Sequence, residues 1–234
     1  MRLFCFPYAG GTALIYRKWA QKVPSHMEVV AIQLPGRATR MHEPLVTKLT
    51  DLVEPLARAI EPFVNQPFAF FGHSMGALVA FEVVRFFQRE GWPLPLHMFV
   101  SGRSAPQLNR EHAPLYNLPE NKLLEEVQQL EGTPPEVLAN PELMSLMLPI
   151  LRADFSICDT YEYTEGAPLP CPITALGGLQ DHDIPRRNVE AWREQTSNTF
   201  TLRMFAGHHF FIHSHETLLL NMLATQLDRD RKKM

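Results

Sequence analysis

A serine, two histidines and two aspartates in this chain have the types and the order needed to activate a hydroxyl group. Ser74 is the central residue of a G-x-S-x-G pattern at 72–76, in which a tight turn lifts a serine hydroxyl above a sheet. A serine hydroxyl is a poor nucleophile until a base removes its proton and an acid orients that base. The histidines and aspartates follow far downstream. These residue types predict covalent catalysis through a serine.

The residues around Ser74 have the pattern of a strand, a sharp turn and a helix. Apolar residues 68–71 precede the turn, and an amphipathic run at 77–90 follows it, with small residues on its first turns. The two glycines of the motif suit a turn in which strand and helix approach too closely for a side chain. The alternative interpretation is a purely structural Gly-Ser turn.

Strand and helix patterns alternate along most of the 234 residues. Apolar strand candidates occur at 3–6, 28–34, 68–71, 97–102, 171–178 and 200–205. Helical patterns include 50–64 with Thr50 as a cap, 187–195, and a C-terminal helix from Ser214 to 227. This alternation predicts an α/β fold with a mostly parallel sheet and helices on both faces.

The alternation breaks at 118–163, which is helix-like and poor in strands. Helix starts are indicated at Pro119 and at Asn140, and residues 143–151 are too apolar for a fully exposed helix. We therefore expect a helical lid at 112–163 inserted into a core formed by 1–111 and 164–234. Its methionines either line a flexible pocket or fill a core.

The acid and the base come in an order that is typical of α/β-hydrolases, where Ser, Asp/Glu and His follow successive strands. Asp181 and Asp183 follow the fifth strand candidate, and His208 and His209 follow the sixth. No carboxylate occurs at 101–106, which argues against an acid one strand earlier. Asp181 is favoured because it comes first after its strand, with Asp183 as the alternative. The residues alone leave the choice of histidine open.

Other titratable residues have structural interpretations. The side chain of His73 is expected to leave the turn in a different direction from Ser74, and His213 and His215 are expected to cap the last helix. Asp154 lies in the inserted segment, before the last two strands. We expect it to make a structural hydrogen bond or an ion pair with Arg152 rather than to act in catalysis.

Composition disfavours several classes of function. The formal charge is −3, and the only block of like charge, at 229–233, is interpreted as a solvated helix end rather than a nucleic-acid site. No stretch reaches the roughly 20 apolar residues of a membrane span, and the N-terminal apolar run is too short for a signal peptide. Three cysteines without metal-ligand spacing predict reduced thiols and a cytoplasmic location. The glycine-rich loop around 10–11 lacks both the G-x-G-x-x-G spacing and the Walker lysine that are typical of nucleotide-binding loops.

Several segments, taken in order, resemble the type II thioesterases that accompany polyketide and nonribosomal peptide synthetases, and their relatives in fatty-acid synthesis. The resemblance runs from about residue 3 to 227 and is carried by segments 6–11, 34–37, 72–77, 101–106, 151–155, 161–163 and 207–211. Segment 207–211 is similar to the family's G-x-H-F-F, which selects His209 as the base. The resemblance also implies that the backbone N–H groups of Ala9 and Met75 form the oxyanion hole. Met75 is in addition the residue after the serine, where hydrolases place such a donor.

The resemblance implies an α/β-hydrolase fold and hydrolysis of acyl thioesters by Ser74, Asp181 and His209. The reaction would need no metal or redox cofactor. The resemblance also implies a substrate that carries phosphopantetheine on an acyl or peptidyl carrier protein or domain. Removal of aberrant acyl groups by a monomeric enzyme is the implied role.

Two further expectations concern partners and competing functions. An acidic carrier would meet a basic rim formed by Arg17, Lys18, Arg37, Arg40, Arg186 and Arg187. The alternative is that these are scattered solvated charges.

The competing functions are a carboxylesterase or lipase-like hydrolase of free esters, with the same three residues, and a non-catalytic binding protein of the same fold.

Overall fold

A six-stranded parallel sheet forms the centre of the molecule. The structure is a computed structural model that describes residues 1–109, 113–130, 132 and 135–233, without the side chain of Pro135. The strands are β1 (Arg2–Phe6), β2 (Glu28–Ala31), β3 (Phe68–His73), β4 (His97–Ser101), β5 (Ile173–Gly178) and β6 (Phe200–Phe205). Their order across the sheet is β2-β1-β3-β4-β5-β6, and each neighbouring pair is parallel. The predicted α/β fold with a parallel sheet is confirmed.

Eight α-helices connect or flank these strands within the described residues. They are α1 (Leu49–Ile60), α2 (Met75–Glu90), α3 (Glu120–Gln129), α4 (Pro135–Leu138), α5 (Pro141–Asp159), α6 (Arg186–Glu190), α7 (Phe211–Ser214) and α8 (Glu216–Arg231). The predicted cap at Thr50 is wrong, because α1 begins one residue earlier and extended Lys48 occupies the N-cap position. The predicted helix at 187–195 is divided into α6 and a 3₁₀ segment, Ala191–Gln195.

The sheet is buried on both faces, as alternation along β3 shows. Phe68 and Phe70 contribute to a core cluster with α1 and α2, whereas Ala69 and Phe71 contribute to a second cluster with α8. Successive side chains of a strand point to opposite faces, so a continuous apolar run serves both cores. Each buried phenylalanine contributes roughly 2–3 kcal/mol of hydrophobic stabilisation. Helices therefore cover both sides of the sheet.

The chain between β4 and β5 contains α3, α4 and α5. The side-chain oxygen of Asn140 accepts hydrogen bonds from the backbone N–H groups of Glu142 and Leu143 at 3.0 and 3.1 Å, which confirms the predicted helix start. A third apolar cluster holds these helices together and comprises Leu123, Val127, Met144, Leu148, Leu151 and Phe155. The predicted boundary at 111/112 falls outside the described residues, and the division into core and lid stays a prediction.

The carboxyl ends of β1, β3, β4, β5 and β6 lie along one edge of the sheet. In register, Phe6 pairs with Gly72 and His73 with Ser101, while Gly178 pairs with Phe205. The loops that follow these strands consequently meet above that edge. No helix in the described part of the chain is long and apolar enough to span a membrane.

Candidate active site

Ser74 occupies the turn between β3 and α2 in a conformation that is unusual for a residue with a side chain. Its backbone has φ 54° and ψ −118°, and its N–H donates to the carbonyl of Ser101 at 2.7 Å. A Cβ atom at Gly72 would lie 2.2 Å from the carbonyl oxygen of Gly76, and one at Gly76 would lie 2.2 Å from that of Phe6. Strained backbone of this kind is retained where it positions a functional group. The glycine requirement inferred from the motif is confirmed.

The helix α2 begins directly after Ser74. Met75 is its first residue, so its backbone N–H has no acceptor within the helix. The 16-residue helix also brings the positive end of its dipole to the serine. A negative charge that develops beside Ser74 would therefore be stabilised.

Asp181 and His209, from the loops after β5 and β6, are hydrogen-bonded to each other. The Nδ1 atom of His209 lies 2.8 Å from Oδ2 of Asp181, and the two side chains are 11% and 1% exposed for His209 and Asp181 respectively. Because a carboxylate only accepts hydrogen bonds, we assign the imidazole proton to Nδ1, which leaves Nε2 with a lone pair. This arrangement can act as a general base.

The alternative acid and the alternative histidine have other hydrogen-bond partners. Asp183 is exposed, and its contact with Asp181 is through its backbone N–H. His208 is exposed and its Nδ1 atom lies 3.0 Å from the carbonyl of Gln180. The structure thus brings together Asp181 and His209, and not the other two.

His73 is fully buried beside His209, with 5.1 Å between their ring centroids. Its Nδ1 atom lies 2.9 Å from Oγ of Ser101. Burial lowers the pKa of His73 well below its usual range, and the neighbouring His209 and His213 add to the effect. A neutral His73 adds no positive charge next to His209. Its packing role was not predicted, since only the tertiary fold brings the two rings together.

His213 and His215 do not cap the last helix through their side chains. The Nε2 atom of His213 lies 3.1 Å from the hydroxyl of Tyr8, in the loop after β1. His215 occupies the N-cap position of α8, but its ring contacts Oγ of Ser214 at 3.0 Å. Burial raises the pKa of Tyr8 to about 12, so this hydroxyl keeps its proton. The expected cap position is confirmed for His215, although its side chain makes no capping hydrogen bond, and is wrong for His213, which lies within α7.

The loop after β1 makes a tight turn next to the serine. The N–H of Gly11 donates to the carbonyl of Tyr8 at 2.9 Å, and Gly10 has φ 74°. Ala9 lies within this turn and lines the same cavity as Ser74. Since α2 also begins beside Ser74, the two predicted oxyanion donors come from segments that border the serine.

An open cavity of about 970 Å³ lies above the carboxyl edge of the sheet. Ser74 and His209 line it, together with the 8–12 loop and apolar side chains of α5. Of the inserted methionines, Met147 lines the cavity and Met144 packs within the helical cluster. The site therefore has room for an acyl chain next to the serine.

Two expectations about charged residues are wrong. Asp154 forms its ion pair with Arg37 and not with Arg152, which instead donates to the carbonyls of Tyr116 and Leu118 at 2.9 and 2.8 Å. Arg37 is only 2% exposed, so it cannot belong to a basic rim. Both errors have one cause: the buried partner lies 117 residues away in the sequence.

The remaining predicted rim residues differ in exposure. Arg40 is partly buried and forms a salt bridge with Glu43 at 2.5 Å. Arg17, Lys18, Arg186 and Arg187 are exposed. Arg17 and Lys18 follow the cavity-lining Ile15, and the other two precede the cavity-lining Asn188.

A family model described as a thioesterase domain matches residues 1–227. The chain belongs to the thioesterase family. A solved structure described as RedJ, a thioesterase from the prodiginine biosynthetic pathway in Streptomyces coelicolor, shares the fold with a TM-score of 0.91 and 38% identity. The match covers 96% of this chain and 89% of that one. The predicted thioesterase, a hydrolase of the α/β-hydrolase fold, is confirmed.

Two further relatives are informative. YbtT, a type II thioesterase from the yersiniabactin NRPS/PKS biosynthetic pathway, is 30% identical with a TM-score of 0.88, over 98% of this chain and 93% of that one. The linear gramicidin dehydrogenase LgrE of Brevibacillus parabrevis is 46% identical over 96% of this chain and 87% of its own length. Despite that name, this chain lacks the G-x-G-x-x-G dinucleotide pattern. Thioesterases of this family need no cofactor.

Proposed function

We propose that this thioesterase hydrolyses acyl thioesters held on the phosphopantetheine arm of an acyl or peptidyl carrier protein or domain. Ser74 is the nucleophile, His209 the general base and Asp181 the residue that orients the base. The observation that carries this proposal is the Asp181–His209 hydrogen bond at the wall of the cavity that Ser74 also lines.

The reaction has two halves. His209 Nε2 removes the hydroxyl proton of Ser74 while Oγ attacks the thioester carbonyl, and the resulting oxyanion accepts hydrogen bonds from the N–H groups of Ala9 and Met75. The carbon–sulfur bond then breaks, and the protonated His209 returns the proton to the leaving thiol. In the second half, His209 removes a proton from a water molecule whose oxygen attacks the carbonyl of the acyl-serine. The bond between that carbonyl and Ser74 Oγ then breaks, His209 returns the proton to Oγ, and the acid is released. One oxyanion donor typically contributes about 10²–10³-fold in kcat.

The biosynthetic role rests on the relatives. Proteins from prodiginine and yersiniabactin pathways share the fold over nearly the whole chain. We infer that the natural substrates are aberrant acyl groups on the carriers of a polyketide or nonribosomal peptide synthetase. Exposed Arg17, Lys18, Arg186 and Arg187 give a basic rim that suits an acidic carrier.

We also propose that the protein is a monomer and is located in the cytoplasm. Cys5 and Cys171 are buried free thiols, in agreement with a reducing compartment. Burial raises the pKa of both thiols, so neither competes with Ser74 as a nucleophile. We also propose that 112–163 acts as a lid, since α5 contributes to the cavity wall.

The test compares three substrates that carry one acyl group: an acyl-carrier protein, acyl-coenzyme A and a p-nitrophenyl ester. We expect the carrier to have the highest kcat/KM, and Ser74→Ala to abolish turnover of all three. A fluorophosphonate probe should label the wild type at Ser74. A strong preference for the free ester would instead indicate a carboxylesterase. A wild type that is neither labelled nor active would indicate a non-catalytic binding protein.

A further inference from the structure

A buried ion pair between Arg37 and Asp154 lies outside the proposed set of Ser74, Asp181 and His209. Arg37 Nη1 lies 2.5 Å from Asp154 Oδ2 and Nη2 lies 2.7 Å from Oδ1, in a two-bond fork. The side chains are 2% and 0% exposed. Burying two charges costs several kcal/mol each, and such a pair often adds no net stability over apolar residues. A contribution to folding alone is therefore a weak explanation for it.

The pair also holds two backbone groups of the loop after β1. The N–H of Gly10 donates to Asp154 Oδ2 at 2.7 Å, and Arg37 Nη1 donates to the carbonyl of Gly11 at 3.4 Å. Hydrogen bonds to ionised groups are stronger than those between neutral groups. Each charge thus fixes one peptide group in the loop that contains Ala9.

Peptide geometry connects this anchoring to the oxyanion donor. The N–H of Ala9 belongs to the same planar peptide group as the carbonyl of Tyr8 and points in the opposite direction. That carbonyl accepts the N–H of Gly11 at 2.9 Å. Since Arg37 and Asp154 hold Gly10 and Gly11, they determine where Gly11 lies and so how the Ala9 N–H is aimed.

Helix α5 completes this arrangement from the inserted segment. Asp154 and Leu151 lie on α5, and a Cβ atom at Gly10 would come within 2.7 Å of Leu151 Cδ2. Asp154 therefore bonds to the loop, while Leu151 packs on it about one turn earlier in the helix. The loop is enclosed between α5 on one side and Arg37 on the other.

We propose that Arg37 and Asp154 are positioning residues for the oxyanion hole, which they serve by orienting the backbone N–H of Ala9. This inference rests on the proposed function, in which that N–H stabilises the tetrahedral oxyanion. Neither side chain contacts the reacting atoms. Loss of the pair should therefore weaken transition-state stabilisation and leave substrate binding nearly unchanged.

The main test uses the double variant Arg37→Met, Asp154→Leu, which removes both charges together, and the single variant Asp154→Asn. Asp154 Oδ2 faces both the Gly10 N–H and Arg37, and Oδ1 faces Arg37 alone, so the NH₂ of asparagine would face a donor of Arg37 in either orientation and the Gly10 N–H as well in one of them. We expect kcat to fall about 10²-fold in the double variant and about tenfold in Asp154→Asn, with KM changed less than about threefold.

A second readout reports the oxyanion directly. An alkyl trifluoromethyl ketone adds to the serine as a tetrahedral oxyanion, and its inhibition constant should rise in proportion to the loss of kcat/KM. The control is Asp230→Asn, which breaks another buried pair, with His97 at 2.8 Å, at the amino end of β4. It should lower Tm while leaving kcat and the inhibition constant at wild-type values.

The outcomes separate this inference from the proposed function. If the wild type is active and labelled at Ser74, but folded Asp154→Asn keeps wild-type kcat and inhibition constant, the positioning role is wrong. An equal loss of kcat in Asp230→Asn would also overturn it, because the effect would then be one of general stability. If the double variant does not fold, the kcat and the inhibition constant of Asp154→Asn decide whether the pair has the positioning role. Failure of the wild type to react at Ser74 would refute the proposed function itself.

Discussion

The two carboxylate oxygens of Asp181 have different partners: Oδ2 lies 2.8 Å from Nδ1 of His209, and Oδ1 accepts the backbone N–H groups of Asp183 and Ile184 at 3.1 Å each. The backbone bonds hold the carboxylate in one orientation, which in turn orients the imidazole. A neutral acceptor of the same shape would hold the ring less reliably. The first prediction follows from this difference.

Replacement Asp181→Asn should lower kcat for acyl-thioester hydrolysis by about 10³–10⁴-fold, with a much smaller change in KM. The amide can donate to Nδ1, which would place the imidazole proton on Nε2 and remove the base. Steady-state kinetics with an acyl-N-acetylcysteamine thioester measure the effect. Asp183→Asn is the matched control, since that side chain is exposed, and it should stay within about tenfold of wild type. A larger loss at Asp183 than at Asp181 would reverse the assignment.

Replacement Gly76→Ala should destabilise the fold by roughly 3 kcal/mol or more, because the new methyl group meets backbone that cannot move aside. The added Cβ atom would lie 2.2 Å from the carbonyl oxygen of Phe6. Urea unfolding measures the change. The control Gly91→Ala has a φ of 67° but no atom within 4 Å of the added Cβ, so it should cost only about 1–2 kcal/mol. Equal losses at the two positions would show that close packing is not the cause.

Stability should fall as the pH is lowered from about 6.5 to 5. Burial lowers the pKa of His73 and of His97, the latter against the opposing effect of Asp230. In this window the unfolded chain binds more protons than the folded one, so the free energy of unfolding decreases by at most about 1.4 kcal/mol per pH unit for each such group.

The pH prediction is checked by urea unfolding at several pH values. His73→Phe keeps an aromatic ring but cannot titrate, so it should flatten the slope. A slope identical to that of the wild type would mean that His73 does not stay neutral on folding.

Charge reversal at Lys18 and Arg186 should lower kcat/KM for an acyl-carrier about tenfold at low salt, because both are exposed and flank cavity-lining segments. Turnover of an acyl-N-acetylcysteamine thioester should not change, since it makes no carrier contact. Lys232→Glu is the control, because Lys232 lies at the end of α8. Neighbouring Asp230 contacts His97 at the amino end of β4, whereas the cavity lies at the carboxyl ends of the strands. If the double reversal left carrier turnover unchanged, these residues would not form a docking rim.

The serine turn and the strands could be predicted because their causes are mostly local. Gly72 is required by its close approach to Gly76 within the same turn, and apolar runs such as 68–71 are sufficient to indicate buried strands. Gly76 is instead required by its approach to Phe6 on the neighbouring strand β1. The boundaries were less predictable. Strand β2 ends at Ala31 rather than at residue 34, and the last helix begins at Glu216, after the short α7, rather than at Ser214. Such ends depend on neighbouring segments, which the local pattern does not show.

The sequence by itself determined the α/β alternation, the serine turn and the ordered set of motifs typical of a thioesterase. Only the tertiary structure decided which buried charges are partners. Asp154 is two residues from Arg152 in the chain, yet it pairs with Arg37, 117 residues away. A helical neighbour at that spacing faces another direction, whereas the folded sheet brings the loop after β2 against α5. Long-range burial of this kind has no local signal, because it depends on which surfaces the whole chain brings together.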